Sequence, residues 1–156
     1  MFASVRKLIA DLSDDGAERR FEETDYRLAA AALLVHAAQI DGTMSPPERQ
    51  KLHEVLKQRF NLDDDDADAL IEEATAAEQE AVDLYKFTAR LNRMLDEPGR
   101  ARVIEMMWQV AYADGAATEF EDNLIWRAAD LLHVPRPERI ALRNRVADGE
   151  GGGSDV

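Results

Sequence analysis

The sequence predicts an all-α protein, a compact bundle of seven to eight helices, and three observations lead to that prediction. Apolar residues recur at helical spacing along nearly the whole chain, and no stretch alternates long enough to form a useful strand. Helix start and stop signals separate the apolar stretches. One helix–loop–helix pattern also occurs twice, 73 residues apart, which predicts an internal pseudo-two-fold repeat of helical hairpins.

The first 23 residues are predicted to form an N-terminal helix and a linker. Apolar side chains follow helical spacing over residues 2–12, which indicates a short amphipathic helix. The charged stretch that follows, to Glu23, is typical of an exposed linker.

The first half of the main domain is predicted to contain three helices. Thr24 is the expected N-cap of a helix that runs to about Ile40. Residues 29–35 of that helix are apolar on all sides, which predicts a central, buried position. The second helix ends near Asn61, and the acids at 63–66 begin the third, where their charge opposes the positive end of the helix dipole.

The second half is predicted to contain four more helices. Residues 84–95 follow the helical i, i+3, i+4 pattern closely. Pro98 suits the first turn of a second central helix that ends near Ala111. An apolar stripe over 120–132 gives the next helix, and the last one carries the apolar residues of 140–146 after two prolines.

These elements define the expected domain organisation. A single helical domain is predicted over 24–147, with repeat halves of about 24–83 and 84–147. Residues 148–156 are rich in glycine and lack an apolar stripe, so they are predicted to be a disordered tail.

Composition and charge exclude several classes of function. The 156 residues include 32 acids and 19 lysines and arginines, a net charge of −13 that argues against binding nucleic acid or an anionic membrane. The absence of cysteine removes disulfides and thiolate metal sites. No apolar run approaches the length of a membrane span, and no secretory signal is present, so we expect a soluble cytoplasmic protein.

The repeated pattern contains a helix-capping signal. Ser45 and Glu48 have the spacing of a capping box, in which each side chain accepts a hydrogen bond from the other residue's backbone N–H. Thr118 and Glu121 repeat that spacing, and a glycine precedes each box by three residues. On this interpretation, each loop ends one helix and begins the next.

The same loops are also a candidate metal site. If the two hairpins pack about a two-fold axis, Asp41, Glu48, Asp114 and Glu121 converge, and four carboxylates repel one another unless a cation lies between them. Oxygen ligands suit Ca²⁺, Mg²⁺ or Mn²⁺. The seven-residue separation of Asp and Glu excludes an EF-hand loop, which spans twelve. Capping alone and capping with a bound cation both remain open.

The chain resembles the TerB-like family of tellurite-resistance proteins. The resemblance lies in an apolar helix that ends in Ala-x-x-Asp-Gly, in the Ser/Thr-x-x-Glu that follows it, and in the repetition of both in the second half. The resemblance covers about residues 24–146. It implies a cytoplasmic, pseudo-symmetric helical domain without catalytic activity, linked to resistance to tellurite and other stresses. It also implies a metal ion held by the acidic cluster, which in this chain is Asp41, Glu48, Asp114 and Glu121.

The expected function is therefore that of a non-enzymatic stress-response and interaction protein with a protein partner. No catalytic residue and no organic cofactor site is assigned. One alternative is a small metal-dependent hydrolase that uses the same carboxylates. Another is a homodimerising scaffold in which the acidic segment 61–83 meets the arginines of the last helix, namely Arg136, Arg139, Arg143 and Arg145.

Two further groups of side chains are predicted to be structural. His36, on the first central helix, is expected to be a hydrogen-bonded residue in or near the core. The aromatic residues around the second loop are expected to pack in the core rather than to line a pocket; they are Trp108, Tyr112, Phe120 and Trp126.

Overall fold

Helices account for most of the chain in the computed structural model, which describes residues 21–22, 25–40, 42–81, 84–113 and 115–151. Seven helices and no strands lie within those ranges, which confirms the all-α prediction. The pseudo-two-fold axis and the domain boundaries stay predictions. The helix predicted over 2–12 lies outside the described residues. The helices are α1 (Tyr26–Gln39), α2 (Pro46–Phe60), α3 (Asp64–Glu80), α4 (Tyr85–Met94), α5 (Glu97–Ala111), α6 (Glu119–Leu131) and α7 (Arg136–Gly151).

Helix α1 lies at the centre of the bundle, as its composition predicts. Every residue from Leu28 to Val35 is buried. It packs most extensively against α3 and α4, and it also contacts α2, α5 and α6. The run of four alanines at 29–32 is suited to this position, because small side chains let several neighbouring helices approach one backbone closely.

Helix α5 is the second buried helix. Its side chains from Val103 to Ala111 are buried except for two, and Trp108 is 1% exposed. It packs against α1, α2, α6 and most extensively α7. The order along the chain thus places each of the two candidate loops directly after one of the two buried helices.

The N-cap of α1 differs from the prediction. Thr24 lies outside the described residues, and Asp25 is the capping residue, with its Oδ1 accepting from the backbone N–H of Arg27 at 2.9 Å. Asp25 also forms an ion pair with the Arg27 side chain at 2.7 Å. Burial acts to raise the pKa of Asp25, but the hydrogen bonds and the positive charge of Arg27 outweigh it, and the net pKa is lowered.

Two apolar residues of the predicted helices are exposed. Phe120 is 63% exposed because Glu121, not Phe120, occupies the inward position one turn before Ile125. Ile140 is 46% exposed because the inner face of α7 is formed by Arg139, Leu142 and Val146. The prediction that Phe120 packs in the core is therefore wrong.

Helix α7 continues to Gly151, past the predicted start of the tail at residue 148. Each added residue of an existing helix gains one hydrogen bond, so a helix extends into a sequence too polar to begin one. The remaining tail residues, 152–156, lie outside the described part of the chain.

Candidate cation site at the duplicated loops

The first loop forms the predicted capping box at the start of α2. Glu48 Oε1 accepts a hydrogen bond from the backbone N–H of Ser45 at 3.0 Å, and the N–H of Glu48 donates to Ser45 Oγ at 3.2 Å. Pro46 and Pro47 occupy the first two helical positions, where no intrahelical partner exists for an N–H. The capping function of this loop is confirmed.

The second loop forms the same box at the start of α6. Glu121 Oε1 accepts from the N–H of Thr118 at 2.8 Å, and the N–H of Glu121 donates to Thr118 Oγ1 at 3.1 Å. The two boxes therefore agree in hydrogen-bond pattern as well as in sequence. The two loops are therefore similar in local structure as well as in sequence.

Glycine is required in both loops by backbone conformation. Gly42 has φ 130° and Gly115 has φ 106°, a region that side chains rarely allow. No atom lies within 4 Å of a Cβ built on either residue, so crowding is not the reason. Each glycine N–H donates to a carbonyl at the end of the preceding helix, that of Gln39 or Tyr112, at 3.0 Å.

The two glutamates are unusually inaccessible for capping residues. Glu48 is 6% exposed and Glu121 is 1% exposed, and Glu121 Oε2 is out of reach of solvent. Burying a carboxylate is costly unless hydrogen bonds or opposite charge compensate for it. The cap bond and the positive end of the helix dipole supply part of that compensation.

The two aspartates of the candidate site, Asp41 and Asp114, lie outside the described residues. Among the residues that the structure does describe, no group of three or more histidines and acids is arranged so that it could hold a metal ion. The structure thus places Glu48 and Glu121 each at its own helix start and does not gather either into a metal-binding cluster. The candidate cation site, Asp41, Glu48, Asp114 and Glu121, therefore stays a prediction.

The acidic start of α3 is engaged with basic side chains of α2. His53 Nε2 lies 3.0 Å from Asp64 Oδ1, its Nδ1 lies 3.0 Å from Asp68 Oδ1, and Lys57 Nζ lies 2.8 Å from Asp64 Oδ1. Hydrogen bonds from Lys57 and then His53 lower the pKa of Asp64, and the bond to Asp64 raises the pKa of Lys57. Asp63 caps the helix by accepting from the N–H of Asp66. These acids therefore stabilise the start of α3 and its contact with α2.

His36 is hydrogen-bonded near the core, as predicted. Its Nδ1 lies 2.7 Å from Glu78 Oε2, which joins central helix α1 to α3. The imidazole is therefore a structural contact between two helices.

The arginines of α7 pair within the chain, which the sequence did not indicate. Arg139 forms an ion pair with Asp130 at 2.7 Å, donates to the carbonyl of Val134 at 2.6 Å and lies over the ring of Trp126 at 5.5 Å. Its side chain closes the turn between α6 and α7.

Two more arginines hold α7 against α5 and α6. Arg143 lies 3.4 Å from Asp122 and over the ring of Trp108 at 5.6 Å. Arg145 contacts Glu105 at 3.0 Å. A dimer built on α7 would have to recruit side chains that already stabilise the folded chain. Homodimerisation remains a prediction.

A cavity of about 140 Å³ lies beside α5. Its lining comes from the start of α1, the end of α2, the α4–α5 junction and α5 itself. The sequence gives no signal for it, because no local pattern joins four separate segments. The lining residues are Tyr26, Arg59, Phe60, Leu95, Gly99, Arg102, Val103 and Met106.

Within the described ranges, no helix combines the length and the apolar character that crossing a bilayer requires.

The fold and the loops together define a class: an all-α domain with two buried helices, each followed by a glycine loop and a capping box. The family model of the tellurite resistance protein TerB matches residues 27–144 of this chain. The chain therefore belongs to the TerB family. Neither the search of curated proteins nor the search of solved structures found a match.

Proposed function

We propose that this TerB-family protein is a non-enzymatic stress-response module related to tellurite resistance, acting in the cytoplasm through a protein partner. We further propose that its duplicated loops hold a divalent cation. The family match supports the general role. The burial of Glu48 and Glu121 at equivalent places in the two loops is the observation that supports the cation.

The chemistry of the donor set suits a hard cation. Each glutamate uses Oε1 for its cap, and the motif adds an aspartate one residue before each glycine, Asp41 and Asp114. Carboxylate oxygens are the ligands that Ca²⁺, Mg²⁺ and Mn²⁺ prefer. A bound cation would add positive charge beside the two buried carboxylates, and it would stabilise both helix starts.

Burial also argues for a structural ion rather than a catalytic one. A hydrolytic metal needs an open position for water and substrate. Glu48 and Glu121 are enclosed by the protein, which favours a structural cation over a hydrolytic one at these loops.

Calorimetric titration with Ca²⁺, Mg²⁺ and Mn²⁺ tests the cation. We expect saturable binding to the wild type and a loss of at least about tenfold in affinity for Asp41→Asn/Asp114→Asn, as charged ligands are removed. The control, Asp65→Asn/Glu72→Gln, makes the same change in net charge at exposed acids of α3 and should bind as the wild type does. Equal weakening in both double variants would show attraction to an acidic surface and no specific site.

The exposed side chain of Phe120 supports a partner surface beside the second loop. It projects from the first turn of α6 and is 63% exposed. In cells whose tellurite tolerance depends on this protein, we expect Phe120→Ala to reduce tolerance without lowering the melting temperature. Met94→Ala, which truncates an exposed apolar residue on α4, is the matched control. Equal tolerance in wild type and Phe120→Ala would remove Phe120 from the partner surface.

A further inference from the structure

We infer that the cavity beside α5 binds a small carboxylic acid that carries one compact apolar group. The cavity is independent of the duplicated loops, and none of its eight lining residues belongs to the capping boxes. The inference depends on the size of the cavity, the apolar side chains in its lining and the positive charge of its two lining arginines.

Five of the eight lining residues present apolar side chains to the cavity, and the two arginines add polar surface. Val103 and Met106 on α5 are buried, and Leu95 closes the side at the α4–α5 junction. The rings of Tyr26 and Phe60 meet edge to face, with centroids 5.9 Å apart, and form the opposite wall. An apolar group that enters this space would displace water from apolar surface on several sides.

The volume limits the occupant to about one ring. An engineered apolar cavity of about 150 Å³ takes up benzene. The present cavity, at about 140 Å³, therefore fits a six-membered ring or a branched aliphatic group of similar size. Its open side leaves a polar head on the ligand in contact with the rim.

The rim is positive in a strongly acidic protein. Both charged residues that line the cavity are arginines, Arg59 and Arg102. Glu105 accepts from Arg59 at 3.1 Å, but it also accepts from Arg145 at 3.1 Å. Glu105 is therefore shared between Arg59 and an arginine outside the cavity, and Arg102 has no such partner among the described residues. A ligand with a negative head would give Arg102 a partner.

The two lining arginines have different roles toward such a head group. Arg59 Nη2 is held by Glu105 and by Gln109 at 3.3 Å, so its guanidinium is oriented before any ligand arrives. Arg102 is exposed and has no ion pair among the described residues, so it is available to a ligand. Arginine pairs with carboxylates through two parallel hydrogen bonds, which makes a carboxylate the best match.

One carboxylate lies next to the lining without belonging to it. Asp96 Oδ1 accepts from the backbone N–H of the lining residue Gly99 at 2.9 Å as the N-cap of α5. Because this carboxylate keeps its charge, a negative head group should bind at Arg102 and away from the start of the helix.

Three probes added to the ¹⁵N-labelled full chain test this inference by NMR. Benzoate has both the ring and the charge, benzamide has the ring without the charge, and inorganic phosphate has the charge without the ring. We expect benzoate to shift the amide signals of Gly99, Val103 and Met106 with a dissociation constant of about 1 mM or tighter. We expect benzamide and phosphate to bind at least about tenfold more weakly.

A matched pair of variants assigns the charge. Arg102→Gln should weaken benzoate by about tenfold or more, the effect of losing a hydrogen bond to a charged group. Arg93→Gln removes the same charge from an exposed position on α4 outside the cavity and should leave the affinity unchanged.

Four results would overturn the inference. Equal affinity for benzoate and benzamide would show that the charge is irrelevant, and equal affinity for phosphate would show that the walls are irrelevant. Equal weakening by Arg93→Gln and Arg102→Gln would show a general charge effect. A peptide with a C-terminal phenylalanine carboxylate that binds more than about tenfold tighter than benzoate would identify a protein terminus, not a free acid, as the occupant.

Discussion

Glu48 offers the sharpest test of capping, because two substitutions separate its functions. Glu48→Gln keeps the methylene groups and an oxygen that accepts from the N–H of Ser45, and glutamine is itself a capping-box residue. Glu48→Ala removes the acceptor and one buried methylene group. The two variants lose the same charge, so their difference measures the cap and its packing.

The structure sets the expected magnitudes. The hydrogen bond to Ser45, 3.0 Å long, contributes about 1 kcal/mol, and the buried methylene about 0.8 kcal/mol. Because Glu48→Ala also loses the charge, worth about 0.3–1 kcal/mol, it should lower the free energy of unfolding by about 2–3 kcal/mol. For a chain of 156 residues that is a fall of about 4–12 °C in melting temperature. Glu48→Gln should cost about 0.3–1 kcal/mol, the loss of its charge at the helix start.

The assay is urea and thermal unfolding followed by far-UV circular dichroism, in chelator so that no metal contributes. Glu54→Ala on the same helix is the control, because its side chain is about half exposed and should cost little. If Glu48→Gln costs as much as Glu48→Ala, or if Glu48→Ala costs no more than Glu54→Ala, the capping argument is refuted.

Three further perturbations test the packing described above. Gly42→Ala forces a side chain into φ 130° and should cost about 1–3 kcal/mol in urea unfolding, and a cost under about 0.5 kcal/mol would contradict the need for glycine. The lowered pKa of Asp25 means that its ion pair with Arg27 adds stability above the ordinary pKa of 3.8, which is lost as pH falls through the lowered value. Asp25→Asn should therefore flatten the acid limb of stability against pH below about pH 4, and an unchanged limb would contradict this. Arg139→Lys should cost about 1–3 kcal/mol and change the near-UV spectrum of Trp126, since lysine cannot keep both hydrogen bonds and the ring contact, and an unchanged spectrum with unchanged stability would contradict this.

Local sequence patterns predicted most of the helices. The apolar run at 29–35 predicted a buried helix because no face of it is suited to water, and α1 is buried there. The capping boxes were readable because their partners lie three residues apart, within reach of a local rule. The family resemblance, which covers nearly the same residues as the TerB match, was readable for the same reason.

Features that depend on distant partners were not predictable. Phe120 fits an apolar stripe, yet the capping box turns its neighbour Glu121 inward and leaves Phe120 outside. The arginines of α7 resembled a free basic surface, because their partners, such as Asp122 and Glu105, lie on other helices. Helical periodicity cannot show which distant acid meets which arginine.

For the candidate cation site, the sequence predicted the positions of the two glutamates but not their burial. The spacing located the two glutamates correctly at equivalent helix starts. Their burial was not evident, since capping residues at the start of a helix are commonly accessible to water. The cavity near Arg59 and Arg102 could not be predicted from the sequence, because segments that are distant along the chain form its lining.

Paramagnetic NMR tests the proposed cation site most directly. Substoichiometric Mn²⁺ added to the full chain broadens the amide signals nearest to where it binds. We expect Gly42 and Gly115 to broaden first and together, and the exposed acids Asp65 and Glu72 on α3 to be unaffected. Broadening at α3 first, with both glycines unchanged, would contradict a cation at the duplicated loops and leave them as helix caps alone.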